Sequence, residues 1–400
     1  MQVPALFLAQ SPAARTNAQM DLHQTYPGLD DLKRRAQRRL PKFVWEYLDS
    51  GTGLEAAKAQ NRAGLDRIGM LPSVLHGPLE ADLTVELLGT THAFPFGVAP
   101  VGMSGLIWPD AEGILARSAR TAGIPYCLST VASRSPEDLA PHLGANAWFQ
   151  LYPPKDEGIR ADLLKRAKDA GFRTLVLTVD VPVASRRERQ TRSGLTQPPR
   201  LTPRLLAQIV MRPAWALGMA RAGMPHMRTL DKYTSGDQAN LPPTAHIGYL
   251  LRTSPDWAYV DWLRSNWDGP FIIKGVQRAA DAQRLQEAGA DAIWLSNHGG
   301  RQFDGCPPAI SLLPEVRDAV SVPVIFDSGI GGGLDILRAL ALGADFIMLG
   351  RAFHYALAAL GEAGPAHLIS ILAKDLEANM GQLGLPGLAE ARGLQIRHLG

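Results

Sequence analysis

Eight short apolar runs, each too brief for a helix, constrain this 400-residue chain more than any other feature. They are Pro95–Ala99, Ile124–Leu128, Ala147–Leu151, Thr174–Val179, Pro270–Lys274, Asp291–Leu295, Val322–Phe326 and Asp345–Leu349. Runs this short and continuous suit parallel strands buried on both faces. Amphipathic stretches lie between them. Ala161–Ala170 ends at Gly171, Asp281–Asp291 runs through Gly289, and Leu334–Ala341 ends at Gly343, so each reads as a helix leaving through glycine. Strand–helix alternation counted to eight predicts an α/β fold, the closed (β/α)8 TIM barrel. An open doubly wound sheet is the rival. Against it, no Gly-x-Gly-x-x-Gly follows the first run, where a dinucleotide fold would carry one.

Residues 1–25 read as a loose tail, and Leu29–Leu48 as helical, broken or restarted at Pro41. We therefore expect an N-terminal tail and helical extension over 1–70 and a barrel over 71–390. Residues 180–269 interrupt the rhythm with a long loop after strand 4, expected as an inserted basic loop or lid over 189–260. From Arg189 to Leu230 there is no Asp or Glu, but there are Arg189, Arg192, Arg200, Arg204, Arg212, Arg221 and Arg228. Leu205, Leu206, Ile209, Val210, Met211, Trp215, Leu217 and Met219 are interleaved. Such a segment suits peripheral contact with an anionic membrane face, or a lid packed on the barrel with its Arg tips in water. Composition leaves both open.

With 46% hydrophobic residues the chain can bury a large core, and a net charge of only +3 argues against a nucleic-acid partner. Two cysteines, Cys127 and Cys306, are too few for a disulfide framework and point to a reducing, cytoplasmic setting. No apolar stretch reaches the roughly 20 residues that span a bilayer. The start, Met1–Ala9, lacks a cationic segment and carries Pro4, which argues against a signal peptide. No metal site is expected.

The chemistry gathers after the sixth run, in Ser296-Asn297-His298-Gly299-Gly300-Arg301-Gln302-Phe303-Asp304-Gly305-Cys306. His298 and Arg301 sit just past a strand end, where barrels carry their active sites. A neutral imidazole takes a proton near pH 7, and a guanidinium clamps a carboxylate through two parallel hydrogen bonds. A base beside a carboxylate clamp is what oxidation of a 2-hydroxy acid requires. Lys274, ending so apolar a run, is seldom accidental, because burying an unpaired charge is costly. It suits stabilisation of developing negative charge, or a Schiff base. Asp180 beside His298 could hold the imidazole and stabilise its protonated form. The glycine-rich turn Asp327–Gly333 precedes a helix, and Gly350-Arg351 follows the eighth run. Bare N–H groups at a helix start, in this part of a barrel, suit a phosphate.

The motif as it stands resembles the active-site signature of the FMN-dependent 2-hydroxy-acid dehydrogenases and oxidases. The likeness is greatest to their membrane-associated bacterial L-lactate and mandelate members. It runs from about Tyr26 to the C-terminus, interrupted by 189–230. The resemblance implies FMN as cofactor, with Ala99, Pro100 and Val101 along the ring edge. It implies Ser129, Gln150, Thr178, Lys274 and Ser296 as flavin hydrogen-bonding residues, and Asp327, Gly329, Gly331, Gly350 and Arg351 toward the ribityl phosphate. It implies His298 as the base, steadied by Asp180, with Lys274 favouring the reduced flavin. Tyr47, Tyr152, Arg187 (rather than Arg186) and Arg301 would hold the substrate, and the small Gly102 and Val131 would leave room beside it. In one respect the chain departs from the family: the usual pattern has an arginine at Gly331 and often another at Gly332.

The expected reaction is oxidation of an (S)-2-hydroxy acid, L-lactate or a larger acid such as mandelate, to the 2-oxo acid. Electrons would pass to a quinone, a cytochrome or a similar acceptor. An oxidase handing them to O2 and releasing H2O2 is the alternative, and a non-catalytic membrane-docking barrel that has lost FMN a second. Placement is expected to be cytoplasmic, or peripheral on the inner membrane. A homotetramer is a further expectation carried by the resemblance.

Overall fold

The computed structural model describes residues 22–194, 202–233 and 254–399. Each of the eight apolar runs holds one strand: β1 Phe96–Val98, β2 Tyr126–Ser129, β3 Ala147–Leu151, β4 Thr174–Thr178, β5 Phe271–Val276, β6 Ala292–Leu295, β7 Val324–Phe326 and β8 Phe346–Leu349. They pair in parallel in chain order, and β8 closes on β1 to complete the barrel. Register sets the polar strand ends side by side at one rim, Ser129 opposite Gln150 and Thr178 opposite Lys274.

The barrel interior is filled by Cys127, Trp148, Val176, Ile272, Trp294, Ile325, Phe346 and Met348, all almost fully buried. Trp148 meets Trp294 edge-on with ring centroids 6.4 Å apart. A hairpin, Val85–Leu87 with Thr90–His92, closes the other rim. Its Leu87 belongs to the interior cluster, and its His92 packs 5.2 Å from Phe346, the first residue of β8. The polar rim is therefore the open one.

The N-terminal segment behaves as Pro41 predicts. Helix Leu29–Arg39 stops and helix Lys42–Asp49 starts on Pro41, whose missing N–H costs nothing at that position. The tail expected over 1–25 ends earlier. Leu22–Thr25 form a helical turn, and His23 Nε2 lies 3.2 Å from Ser370 Oγ on helix Ala363–Leu383. Residues 1–21 fall outside the described residues. Strand Ile68–Met70 pairs antiparallel with Ile396–His398, tying together the residues that flank the barrel on both sides.

The long loop expected after the fourth strand is helical over much of its described length. Helices span Glu188–Arg192, Pro203–Val210 and Pro213–Ala222, with a 3-10 turn over Arg228–Tyr233. Residues 195–201 and 234–253 lie outside the described residues. Thr202 caps one helix by accepting from Leu205 N–H at 3.2 Å, and Pro203 and Pro213 occupy first turns. The apolar residues divide between two faces. Trp215 is buried, donates to Leu106 O at 3.1 Å, and packs edge-on against Phe43. Leu206, Val210, Met211 and Leu217 are exposed.

Leu87 plugs a closed cylinder that cannot collapse around a void. Leu87→Ala is therefore expected to cost about 2–5 kcal/mol. Urea unfolding measures it, and an unchanged midpoint would contradict the plug.

Candidate active site

The open rim is built from strand-end residues, and the glycines around it set how closely they approach. Asp180 follows β4 and His298 follows β6. His298 Nδ1 lies 3.0 and 3.1 Å from the two Asp180 carboxylate oxygens. Nδ1 therefore carries the ring proton and donates it, which leaves Nε2 as an acceptor. Burial pushes the imidazole below its ordinary value, with Lys274 and Arg187 adding to the effect and Asp180 opposing it. Burial would raise the Asp180 carboxyl, but His298 and Lys274 outweigh it and hold it low. At neutral pH the pair is thus a neutral imidazole on a carboxylate. His298 takes a left-handed φ of +57°, rare for a side-chain-bearing residue, and its N–H donates to Ser296 Oγ at 3.0 Å.

Gly275, which the sequence offers only as a strand-end glycine, makes this pair fit. Its φ is +103°, and a Cβ there would stand 2.6 Å from Asp180 Cβ and Cγ. A glycine inside a strand run often marks such a close approach, and that was the available signal.

Lys274 is buried, but it is not alone. Its Nζ donates to Ser296 Oγ at 3.0 Å and lies 3.6 Å from Asp327 Oδ2. Asp327 also accepts from Trp294 Nε1 at 3.0 Å and from Ser328 Oγ at 2.7 Å. Asp327, expected toward the phosphate, is thus the counter-ion of Lys274. The Ser328 hydroxyl and the Asn61–Asn297 amide pair, two bonds of 2.8 Å, are further supports that sequence reasoning missed. Polar residues scattered across the chain give no local signal of such a pairing.

Arg187, Tyr47, Tyr152 and Arg301 come together at the rim. Arg187 turns inward, its Nε donating to Ser185 Oγ at 3.1 Å, while the Arg186 side chain is 89% exposed. Burial lowers Arg187, and it lowers Arg301 strongly, with Arg187 and Arg351 adding to the effect on Arg301. Burial raises both Tyr47 and Tyr152, so both phenols stay protonated. The Tyr47 hydroxyl donates to Gly102 O at 2.8 Å.

Arg301 departs from a free clamp. Its Nη1 donates to Leu48 O and Ser50 O at 3.1 and 2.9 Å, and its Nη2 to Tyr47 O at 3.0 Å. These carbonyls end helix Lys42–Asp49 and lack helical partners, so a guanidinium is their natural cap. Only the Nε edge of the fork has no protein acceptor among the described residues. Gly102 packs directly on Val131, since a Cβ there would stand 2.6 Å from Val131 Cγ2.

The flavin-expected residues line the same rim. Ser129 Oγ donates to Gln150 Oε1 at 2.9 Å. Gln150 Nε2, Thr178 Oγ1 and Arg351 Nε are buried without a hydrogen-bond partner among the described residues. Ala99 N–H donates to Leu349 O at 3.0 Å, and Pro100 links it to Val101, whose Cγ2 would be 3.4 Å from a Cβ at Gly350. Arg351 Nη2 donates to Gly299 O at 2.9 Å. The glycine-rich turn is not bare. Gly331 N–H donates to Asp335 Oδ2 at 2.8 Å, and Gly333 and Leu334 N–H donate to Asp375. Carboxylates take these donors because the start of helix Gly333–Ala341 favours negative charge. Gly329, at φ +97°, packs against Asn61 and keeps a position on the turn.

A family described as FMN-dependent dehydrogenase has a sequence model that matches residues 36–398. An L-lactate dehydrogenase of Pseudomonas aeruginosa is 39% identical over 363 residues, covering 90% of this chain and 95% of that protein. Among solved structures, the monotopic membrane protein (S)-mandelate dehydrogenase superposes with TM-score 0.87 at 34% identity, over 92% of this chain and 98% of that one. A mandelate oxidase superposes with TM-score 0.78, also at 34% identity, over 94% and 100%.

Gly275→Ala should displace Asp180 from His298. Because Asp180 raises the imidazole pKa, its withdrawal lowers that value further. NMR titration of His298 in the variant measures the shift, and an unmoved titration would refute the role given to Gly275.

Proposed function

Since the chain belongs to the FMN-dependent dehydrogenase family and is an FMN-dependent 2-hydroxy-acid oxidoreductase, we propose that it oxidises L-lactate or a larger (S)-2-hydroxy acid such as mandelate, passing electrons to a quinone or similar acceptor. The 3.0 Å His298–Asp180 pair at the open rim carries this reading. FMN fits the residues present. Gln150 Nε2 and Thr178 Oγ1 are a donor and a hydroxyl awaiting the pyrimidine edge of a flavin, and Arg351 Nε is a cationic donor awaiting a phosphate. When bound, FMN supplies the two-electron acceptor.

The chain's own residues do the rest. Arg187 and the Nε edge of Arg301 bind the substrate carboxylate, with the Tyr47 and Tyr152 phenols beside them. That clamp fixes the hydroxyl-bearing carbon, and orientation of this kind can be worth several powers of ten in rate. His298 Nε2 takes a proton from the substrate, and Asp180 stabilises the imidazolium that results. Lys274 and Ser296 stand next to each other on the adjoining strand ends and offer donors where negative charge develops. Ala99, Pro100, Val101, Ser129, Gly329, Gly331 and Gly350 complete the cofactor wall.

The helical insertion supports a peripheral membrane contact as the home of the acceptor. It packs one face on Leu106 and Phe43, and turns Leu206, Val210, Met211 and Leu217 outward among Arg204, Arg212 and Arg221. No helix among the described residues is long and apolar enough to cross a membrane. The protein is expected to sediment with vesicles containing anionic lipid, and Val210→Asp with Met211→Asp to abolish this. Sedimentation independent of both changes would remove the insertion from the contact.

The activity is tested on the purified yellow protein. Lactate or mandelate should bleach it anaerobically, and a quinone analogue should restore the colour. Peroxide formed in air at the turnover rate would favour the oxidase reading instead, and a protein that stays colourless with FMN would favour a scaffold. His298→Gln should keep the flavin and lose about 100-fold or more in turnover. Because burial lowers the His298 pKa, wild-type activity should persist to below the ordinary histidine range and fall only as pH drops through that lowered value.

A further inference from the structure

The turns after β7 and β8 are where a barrel of this type takes a phosphate. Gly331, Gly332 and Gly333 bring no cation to that place. Two carboxylates stand on the same turn instead: Asp335 on Gly331 N–H, and Asp375 on the N–H groups of Gly333 and Leu334. Burial would raise the Asp335 carboxyl, but hydrogen bonding and charge from Arg62, with Gly331 N–H and Arg338, hold it below its ordinary value. A phosphate arriving here meets an ionised carboxylate, and on these two turns only Arg351 answers it.

Positive charge reaches the turn from another part of the chain. Arg62 lies on helix Ala56–Asp66. Its Nη1 donates to Gly329 O at 3.2 Å and stands 3.3 Å from where a Cβ at residue 331 would be. Its Nη2 donates to Asp335 Oδ1 at 2.8 Å, and its Nη1 binds the other oxygen of the same carboxylate. Asp66 holds the far edge, accepting from Nε at 3.0 Å and from Nη2 at 2.7 Å. Arg338 adds a second cation to Asp335 at 2.8 Å. The guanidinium is thus locked against the glycine turn, in the space that a side chain at 331 would claim.

We propose that Arg62 is the cation that completes the FMN phosphate site, delivered from the N-terminal helix to a turn that has none of its own. It pairs with Asp335, so that a phosphate on this turn meets a compensated carboxylate in place of a bare negative charge. The glycine at 331 leaves the space that Arg62 fills, so positions 62 and 331 are alternative sources of one charge. This inference rests on FMN occupying the open rim as proposed above.

The test uses the full chain freed of flavin and titrated by fluorescence with FMN and, separately, with riboflavin, which has the same ring and no phosphate. Arg62→Gln should weaken FMN about tenfold, because the unpaired charge of Asp335 then faces the phosphate, and leave riboflavin unchanged. Gly331→Arg placed in the Arg62→Gln protein should restore FMN. Equal weakening of both flavins would show a merely structural role and overturn the proposal, as would an unchanged FMN affinity. Should Arg62→Gln fail to fold, Arg62→Lys carries the same comparison with a smaller loss. A wild-type protein that takes up neither flavin overturns the cofactor site itself, and Arg62's part with it.

Discussion

Three guanidiniums, Arg187, Arg301 and Arg351, crowd the open rim of the barrel, and the rest of the site is arranged around them. Burial and mutual repulsion push Arg301 far down and work in the same direction on Arg187. Arginine nevertheless stays protonated. Such a cluster persists only where backbone carbonyls, phenols and incoming anions share the charge. Arg301 meets the carbonyls that end helix Lys42–Asp49, and Arg351 meets Gly299 O. A substrate carboxylate and a cofactor phosphate are the two anions the family's chemistry brings. The cluster is thus a cost to the empty protein that a bound anion would relieve.

The acidic groups are placed to keep their charge out of that field. Asp180 is spent on His298, Asp327 on Lys274 and Trp294, and Asp335 on Arg62 and Arg338. A further cluster works at the outer edge. Arg189, two residues beyond Arg187, forms ion pairs with Glu46, Asp49 and Glu55. That joins the segment carrying Arg187 to the helix carrying Tyr47, two elements of the open rim far apart in sequence. The insertion then packs on the same helix through Phe43 and Trp215. Surface, latch and rim form one mechanical unit.

The barrel was legible because its strands are buried on both faces, so every one of them reads as an unbroken apolar run. The histidine motif was legible because its residues lie within one turn. What stayed hidden is what depends on distance. Asp375 takes the N–H groups of a turn some forty residues away in the chain, and Arg62 meets that turn from the N-terminal part of the sequence. Gly275 reads as punctuation until Asp180 is seen against it. The insertion's helices were hidden because arginines break its apolar rhythm, and one helix buries Trp215 while showing Leu217 to solvent.

Trp294 has a consequence of a different kind. Its indole lies deep in the barrel, 5.3 Å from the Lys274 ammonium and hydrogen-bonded to Asp327, directly beneath the rim. Indole emission overlaps the absorption of a flavin, so a ring arriving above it would drain its excited state. Tryptophan emission from this chain, in which Trp294 is one of eight sources, would therefore fall as a flavin fills the rim.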